Sequence, residues 1–229
     1  MTISRSPYPK AVLFDLDGTL VDSAPDITAA VNELLATRRL PPLDVLRVTA
    51  MIGNGMEKLV ERAFAASGME LKGRELAEAQ RDMMPIYLRH TTHLTTLRPG
   101  AREALAAFHA AGVGLGVVTN KPQAATRDIL VHFGLTDMLG AIVGGDAVVN
   151  KKPAPDALLL ALEKLRAEPA QALMVGDSVS DVGAARAAGM PVAILRGGYS
   201  SMPVETLGAD LVLDGPGELP AALRRAEAA

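Results

Sequence analysis

Short runs of consecutive aliphatic residues punctuate the chain, each closed by glycine or a polar residue and followed by an alanine-rich stretch with apolar positions at helical spacing. Ala11 to Phe14, Gly114 to Val118, Ala141 to Val143, Ala172 to Val175, Val192 to Leu195 and Leu211 to Leu213 predict buried strands. Ala101 to Ala111, Ala124 to Phe133, Pro155 to Arg166, Ser180 to Ala188 and Glu218 to Ala228 predict helices. Strand and helix alternating at this spacing predict an α/β protein with a doubly wound, mostly parallel sheet.

The alternation fails between Val21 and about Leu97, where Pro25 to Thr37, Met56 to Ala66 and Arg74 to Arg89 are helical and no convincing strand intervenes. An all-helical insertion after the first strand accounts for this. The expected division is a core of residues 1–20 and 97–229 and a small helical cap of residues 21–96. Its edges fall at Val21 to Pro25 and at Thr95 to Gly100, where Pro99-Gly100 breaks any helix. Two connections to the same edge of the sheet would let the insert hinge as a lid.

The 229 residues are ample for a sizeable core, and 49% hydrophobic against 21% charged residues argues against disorder. A net charge of −3 makes the chain a poor binder of nucleic acid. With no cysteine, disulfide scaffolds, thiolate zinc sites and cysteine nucleophiles are excluded. No apolar stretch approaches the roughly 20 residues that span a bilayer, and residues 1–10 lack a basic-then-apolar signal layout. The expectation is a cytoplasmic protein without a membrane or nucleic-acid partner, as a monomer or weak homodimer.

Chemistry concentrates at the strand ends. Phe14-Asp15-Leu16-Asp17-Gly18-Thr19 puts two carboxylates directly after an apolar strand, where ligands bind in open α/β sheets, with Gly18 free to turn the chain. Taken alone, the pair could simply stop the strand in an Asx turn. Other strand ends carry complementary groups: Thr119-Asn120 a hydroxyl and an amide, Lys151-Lys152-Pro153 cations, and Asp177 to Asp181 two further acids. A parallel sheet gathers all of them on one rim. Facing carboxylates repel unless a cation lies among them, and oxygen donors without histidine or cysteine suit Mg²⁺.

In this order, Asp-x-Asp-Gly-Thr, the strand-end threonine, the lysine before proline and Gly-Asp-Ser-x-x-Asp resemble the four motifs of the haloacid dehalogenase (HAD) superfamily, with its Rossmann-like core. The insert resembles that superfamily's small helical cap. Asp15 to Ser23, Pro41-Pro42, Ile52-Gly53-Asn54-Gly55, Arg98-Pro99-Gly100 and Lys152-Pro153-x-Pro155-Asp156 are most similar to the phosphoglycolate phosphatase family. The resemblance implies an Mg²⁺-dependent phosphatase acting on a small phosphate monoester, 2-phosphoglycolate foremost, through an aspartyl phosphate. By the same resemblance Asp15 is the nucleophile and Asp17 the general acid and base. Mg²⁺ would be held by Asp15, the Asp17 carbonyl and Asp177, with Asp181 orienting metal waters and Lys152. Lys152, Thr119, the Asn120 amide and the backbone N–H of Leu16 would meet the phosphoryl oxygens.

Lys152 is preferred to Lys151 because the family's lysine directly precedes proline, which leaves Lys151 a solvated neighbour. In the insert, Ile52 to Gly55 feeds a helix N-terminus that can face an anion, so Asn54 and Lys58 are candidate substrate contacts, against a plain helix-entry turn. Met51, Met56, Met69, Met83 and Met84 read as adaptable packing, not as a ligand surface. His90 and His93 share a helix face but have no third ligand and are assigned to the surface, as is Arg196 to Tyr199. Competing readings are a sugar-phosphate phosphatase or a β-phosphoglucomutase-like mutase, which the core motifs do not separate. A phospho-aspartate receiver would not carry the insertion. An inactive binding module would be expected to lack a motif acid, and a dehalogenase would need neither metal nor Asp17.

Overall fold

In the computed structural model, residues 9–227 are described. The segment read for a signal layout, residues 1–10, lies mostly outside them, as does the end of the last expected helix. Strands β1 (Ala11–Phe14), β2 (Val21–Asp22), β3 (Thr96–Leu97), β4 (Gly114–Val118), β5 (Ala141–Val143), β6 (Ala172–Gly176), β7 (Val192–Leu195) and β8 (Leu211–Leu213) alternate with helices. These are α1 (Ala24–Thr37), α2 (Val45–Thr49), α3 (Met56–Ala66), α4 (Gly73–Arg89), α5 (Ala101–Ala110), α6 (Gln123–His132), α7 (Asp156–Leu165), α8 (Val179–Ala188) and α9 (Leu219–Glu227).

Six strands form one parallel sheet in the order β5-β4-β1-β6-β7-β8. The chain winds outward from β1 through β4 to β5, then crosses to β6 and winds the other way. β1 therefore lies at the switch point, where crossovers diverge and leave a crevice at the strands' carboxyl ends. All four β1 residues are buried, because both faces are covered. Val12 and Phe14 pack with Leu105 and Phe108 of α5 and Ile129 of α6, while Ala11 and Leu13 pack with Leu158 and Leu162 of α7 and Ala185 of α8.

The inserted helices enclose an apolar core of their own, with Leu34, Leu35, Val60, Phe64, Met83 and Tyr87, and Ala125 of α6 joins it from below. Two features escape the hydrophobic pattern. The connections at either end of the insert pair as an antiparallel ribbon, Val21 with Leu97 and Asp22 with Thr96, where no strand is expected. Two residues are too few to show alternation, so only the proximity of the connections creates the ribbon. α2 is also short, and is started by Asp44, whose side chain accepts the Arg47 N–H at 2.9 Å. Among the described residues no helix is long and apolar enough to cross a membrane.

Candidate active site

A cavity of about 50 Å³ separates the carboxyl ends of the strands from the inserted helices. Its floor includes Asp15, Asp17, Thr119, Asn120, Lys152 and Asp177, and Ile27, Ile52, Met56, Leu59 and Tyr87 close it from above. The strand-end residues expected to share one rim are thus neighbours. β1 delivers Asp15, whose backbone N–H still bonds Val175 O of β6 at 2.9 Å, and the chain then turns through Gly18 at φ 83°.

Lys152 organises the acids. Its ammonium stands 2.9 Å from Asp15 Oδ1 and 2.6 Å from Asp181 Oδ1, and donates to Val118 O at 2.9 Å. Toward Asp15 the contact is an ion pair without hydrogen-bond alignment, so Asp15 Oδ1 is a buried oxygen with no hydrogen-bond partner. Burial pushes the Asp15 carboxyl up to about 6 despite the Lys152 charge, and Asp181 and Asp17 add to the rise. Burial works to lower the Lys152 ammonium, but Asp15 and Asp181 outweigh it and hold it above the ordinary lysine range.

Asp177 Oδ1 accepts the Thr19 hydroxyl at 3.1 Å, and Oδ2 accepts the Tyr199 N–H at 2.6 Å. Burial and then the Asp181 and Asp15 charges raise its carboxyl well above the usual range. Its surroundings leave no room for side chains: a Cβ at Gly198 would stand 2.3 Å from Asp177 Cβ, and one at Gly18 would stand 2.4 Å from Oδ2.

Asp15, Asp177 and Asp181 place one carboxylate oxygen each within 4.8 Å of one another, so an acidic cluster able to hold a metal is present. Asp181 is already occupied: beyond Lys152, its Oδ2 accepts from Asp177 N, Ser178 N and Ser178 Oγ, the last two closing the N-terminal turn of α8. Asp15 Oδ1, which has no hydrogen-bond partner beyond its ion pair with Lys152, and the hard oxygen donors of Asp15 and Asp177 fit a divalent cation such as Mg²⁺.

Several expected roles are corrected by the geometry. The Asn120 amide does not reach for an oxyanion; it donates to Gly53 O of the insert at 2.8 Å and Lys152 O at 2.9 Å, and accepts from Lys152 N at 2.9 Å. Both its hydrogens are spent tying two loops together. Lys58 is exposed and paired with Glu61 at 2.7 Å, because its turn of α3 points away from the cavity. Asn54 is exposed and borders a neighbouring groove with Arg62 and Ser178. Lys151 is not a solvated bystander: it bonds Glu57 of α3 at 2.5 Å, across the boundary between insert and sheet. Met56 lines the cavity as well as packing in the insert. Leu16 is fully buried, its carbonyl accepting the turn amides of Thr19, Leu20 and Val21. His90 bonds Glu33 at 2.7 Å and meets the His93 ring edge-on, with no third ligand among the described residues.

Sequence reading missed four participants. Lys121, directly after Asn120, is buried and donates to Asp17 Oδ1 at 2.8 Å, with its ammonium 4.9 Å from the centre of the Tyr87 ring. Tyr87 itself belongs to the core of the insert and lines the cavity. Tyr199, assigned to a surface loop, lines the cavity. Arg98, directly after β3, donates to Gly18 O and, at 2.6 Å, to Arg196 O, holding the loops after β1 and β7 together. A basic residue immediately beyond a strand end was the one available signal for Lys121.

A family model described as haloacid dehalogenase-like hydrolase matches residues 12–195. The chain is 45% identical to a phosphoglycolate phosphatase of Rhodospirillum rubrum over 210 residues, covering 90% of this chain and 87% of that one. It is 44% identical to a phosphoglycolate phosphatase of Cereibacter sphaeroides, covering 93% and 97%. A crystal structure of a predicted phosphoglycolate phosphatase from Haemophilus somnus superposes with a TM-score of 0.88 at 32% identity, over 96% of this chain and 99% of that one.

Proposed function

Because this chain belongs to the haloacid dehalogenase-like hydrolase family, we propose that it hydrolyses 2-phosphoglycolate to glycolate and phosphate through an aspartyl phosphate on Asp15. The observation that carries the reading is Asp15, buried at the floor of the cavity with its Oδ1 2.9 Å from the Lys152 ammonium.

In the first step an Asp15 oxygen attacks phosphorus and the ester bond breaks, while Asp17 gives its proton to the departing glycolate oxygen. In the second, Asp17 takes a proton from water, whose oxygen attacks the same phosphorus and releases phosphate from Asp15. Lys152, the Thr119 hydroxyl and the Leu16 N–H are the groups we assign to the equatorial oxygens, where charge gathers. Asp181 keeps Lys152 aimed at Asp15.

Asp15, the Asp17 carbonyl and Asp177 are the residues for Mg²⁺, which when bound offsets the negative charge of the acids and the phosphate. Four acids share the two ammoniums of Lys121 and Lys152, and a divalent ion would favour ionisation of Asp15 and Asp177, which burial opposes. Residues 21–96 act as the cap over a core of 1–20 and 97–229, and their apolar lining keeps bulk water from the intermediate.

The test is released phosphate from 2-phosphoglycolate, hexose phosphates, nucleotides and pyrophosphate, with Mg²⁺ and with excess chelator. Preference for 2-phosphoglycolate, silenced by chelator and lost in Asp15→Asn by roughly 10³-fold or more, is the expected result. Undiminished activity of Asp15→Asn would overturn the nucleophile.

A further inference from the structure

Two lysines line the cavity, and they face different anions. Lys152 is committed to Asp15 and Asp181, at the place where phosphorus is attacked. Lys121 is buried on the other side of Asp17, which it contacts at Oδ1, and its second neighbour is the ring of Tyr87. No arginine or lysine of the insert joins the lining, since Lys58 pairs outside it and Arg62 donates to Met51 O. Every residue the insert contributes is apolar, aromatic or glycine.

We propose that Lys121 is the residue that selects substrate, by pairing with a carboxylate one methylene away from the phosphate-ester oxygen. The inference rests on the phosphatase reading above. Asp17 must come within hydrogen-bond reach, about 3 Å, of the ester oxygen it protonates. A carboxylate attached through a single methylene then lies about as far again from that oxygen, within reach of a cavity-lining ammonium that touches Asp17. An ammonium carries three donors; Asp17 takes one and Tyr87 faces another, which leaves one for the substrate. The aromatic and apolar walls make that contact strong by excluding water, and they penalise an ester that leaves the ammonium short of its partner. Lys121 is therefore a specificity residue for small phosphate esters of 2-hydroxy acids.

The experiment compares kcat/KM for 2-phosphoglycolate and ethyl phosphate, which lacks the carboxylate, in the Mg²⁺-loaded wild type, Lys121→Met and Lys121→Arg. The expected result is a wild-type preference for 2-phosphoglycolate that shrinks by roughly 10- to 100-fold in Lys121→Met, mainly through KM, and returns in part in Lys121→Arg. Equal losses on both substrates would mean that Lys121 acts only by positioning Asp17, and would overturn the proposal while the phosphatase reading stands. A wild type that turns over both esters alike would overturn the proposal and the choice of substrate together. Should Lys121→Met fold poorly, wild-type affinities for 3-phosphonopropionate and propylphosphonate decide instead: tighter binding of the carboxylated phosphonate supports the proposal, and equal binding overturns it.

Discussion

The Tyr199 hydroxyl and the Ser23 amide, 176 positions apart, meet at 2.7 Å where the inserted helices leave the sheet. The same oxygen accepts Ala24 N at 2.9 Å and donates to Asp22 Oδ1 at 2.7 Å, so one phenol satisfies two of the orphan donors that open α1. Its own backbone N–H holds Asp177. The start of the insert and the Asp177 carboxylate are therefore joined through Tyr199.

Tyr199→Phe leaves both amides of α1 without that acceptor while keeping the ring and the backbone contact to Asp177. Stability falls by about 1–2 kcal/mol, measured by urea unfolding, with kcat reduced less than tenfold. An unfolding midpoint equal to the wild type's would show that water replaces the phenol at no cost.

Lys151 and Glu57 form a charged link between α3 and the lysine loop, and their side chains are partly exposed. An exposed pair contributes little to stability, less than about 1 kcal/mol, but this one spans the boundary between the inserted helices and the sheet, beside the cavity. Glu57→Gln raises KM a few-fold with kcat nearly unchanged, and the wild type loses the same advantage in high salt. Steady-state kinetics at low and high ionic strength check both.

Asp181 touches no substrate position yet holds Lys152 and closes the first turn of α8. Asp181→Ala removes one partner of a buried ion pair, which costs about 3–5 kcal/mol. It also lowers Mg²⁺ affinity or activity by roughly 10- to 100-fold, because Lys152 loses its second anchor. Metal titration of phosphate release, beside thermal unfolding, separates the two effects.

The Asp15 carboxyl sits at about 6 in the folded chain against an ordinary 3.8. Between those values the folded state keeps a proton that the unfolded chain has released, so stability in chelator declines as pH rises from about 4 to 6 and stays low above. Asp177, raised as well, adds in the same direction. Mg²⁺ binds the deprotonated acids, so its stabilising effect is larger at pH 7 than at pH 5. Urea midpoints with and without Mg²⁺ across that range read the sign directly.

Much of this was legible in the chain itself. Six aliphatic runs became the six parallel strands within one residue of their expected ends, because a strand buried on both faces must be continuously apolar. Asp15, Asp17, Thr119, Lys152, Asp177 and Asp181 gather at one end of the sheet because each follows a strand in parallel register, and that register is implied by alternation alone. The sequence could not decide which of those groups remain available. Asn120 is consumed by Gly53 and Lys152, Lys58 turns outward, and Lys121 and Tyr199 turn inward. Those assignments depend on the docking of the inserted helices over the sheet. That docking brings together residues scores of positions apart, and so leaves no periodic trace in the chain.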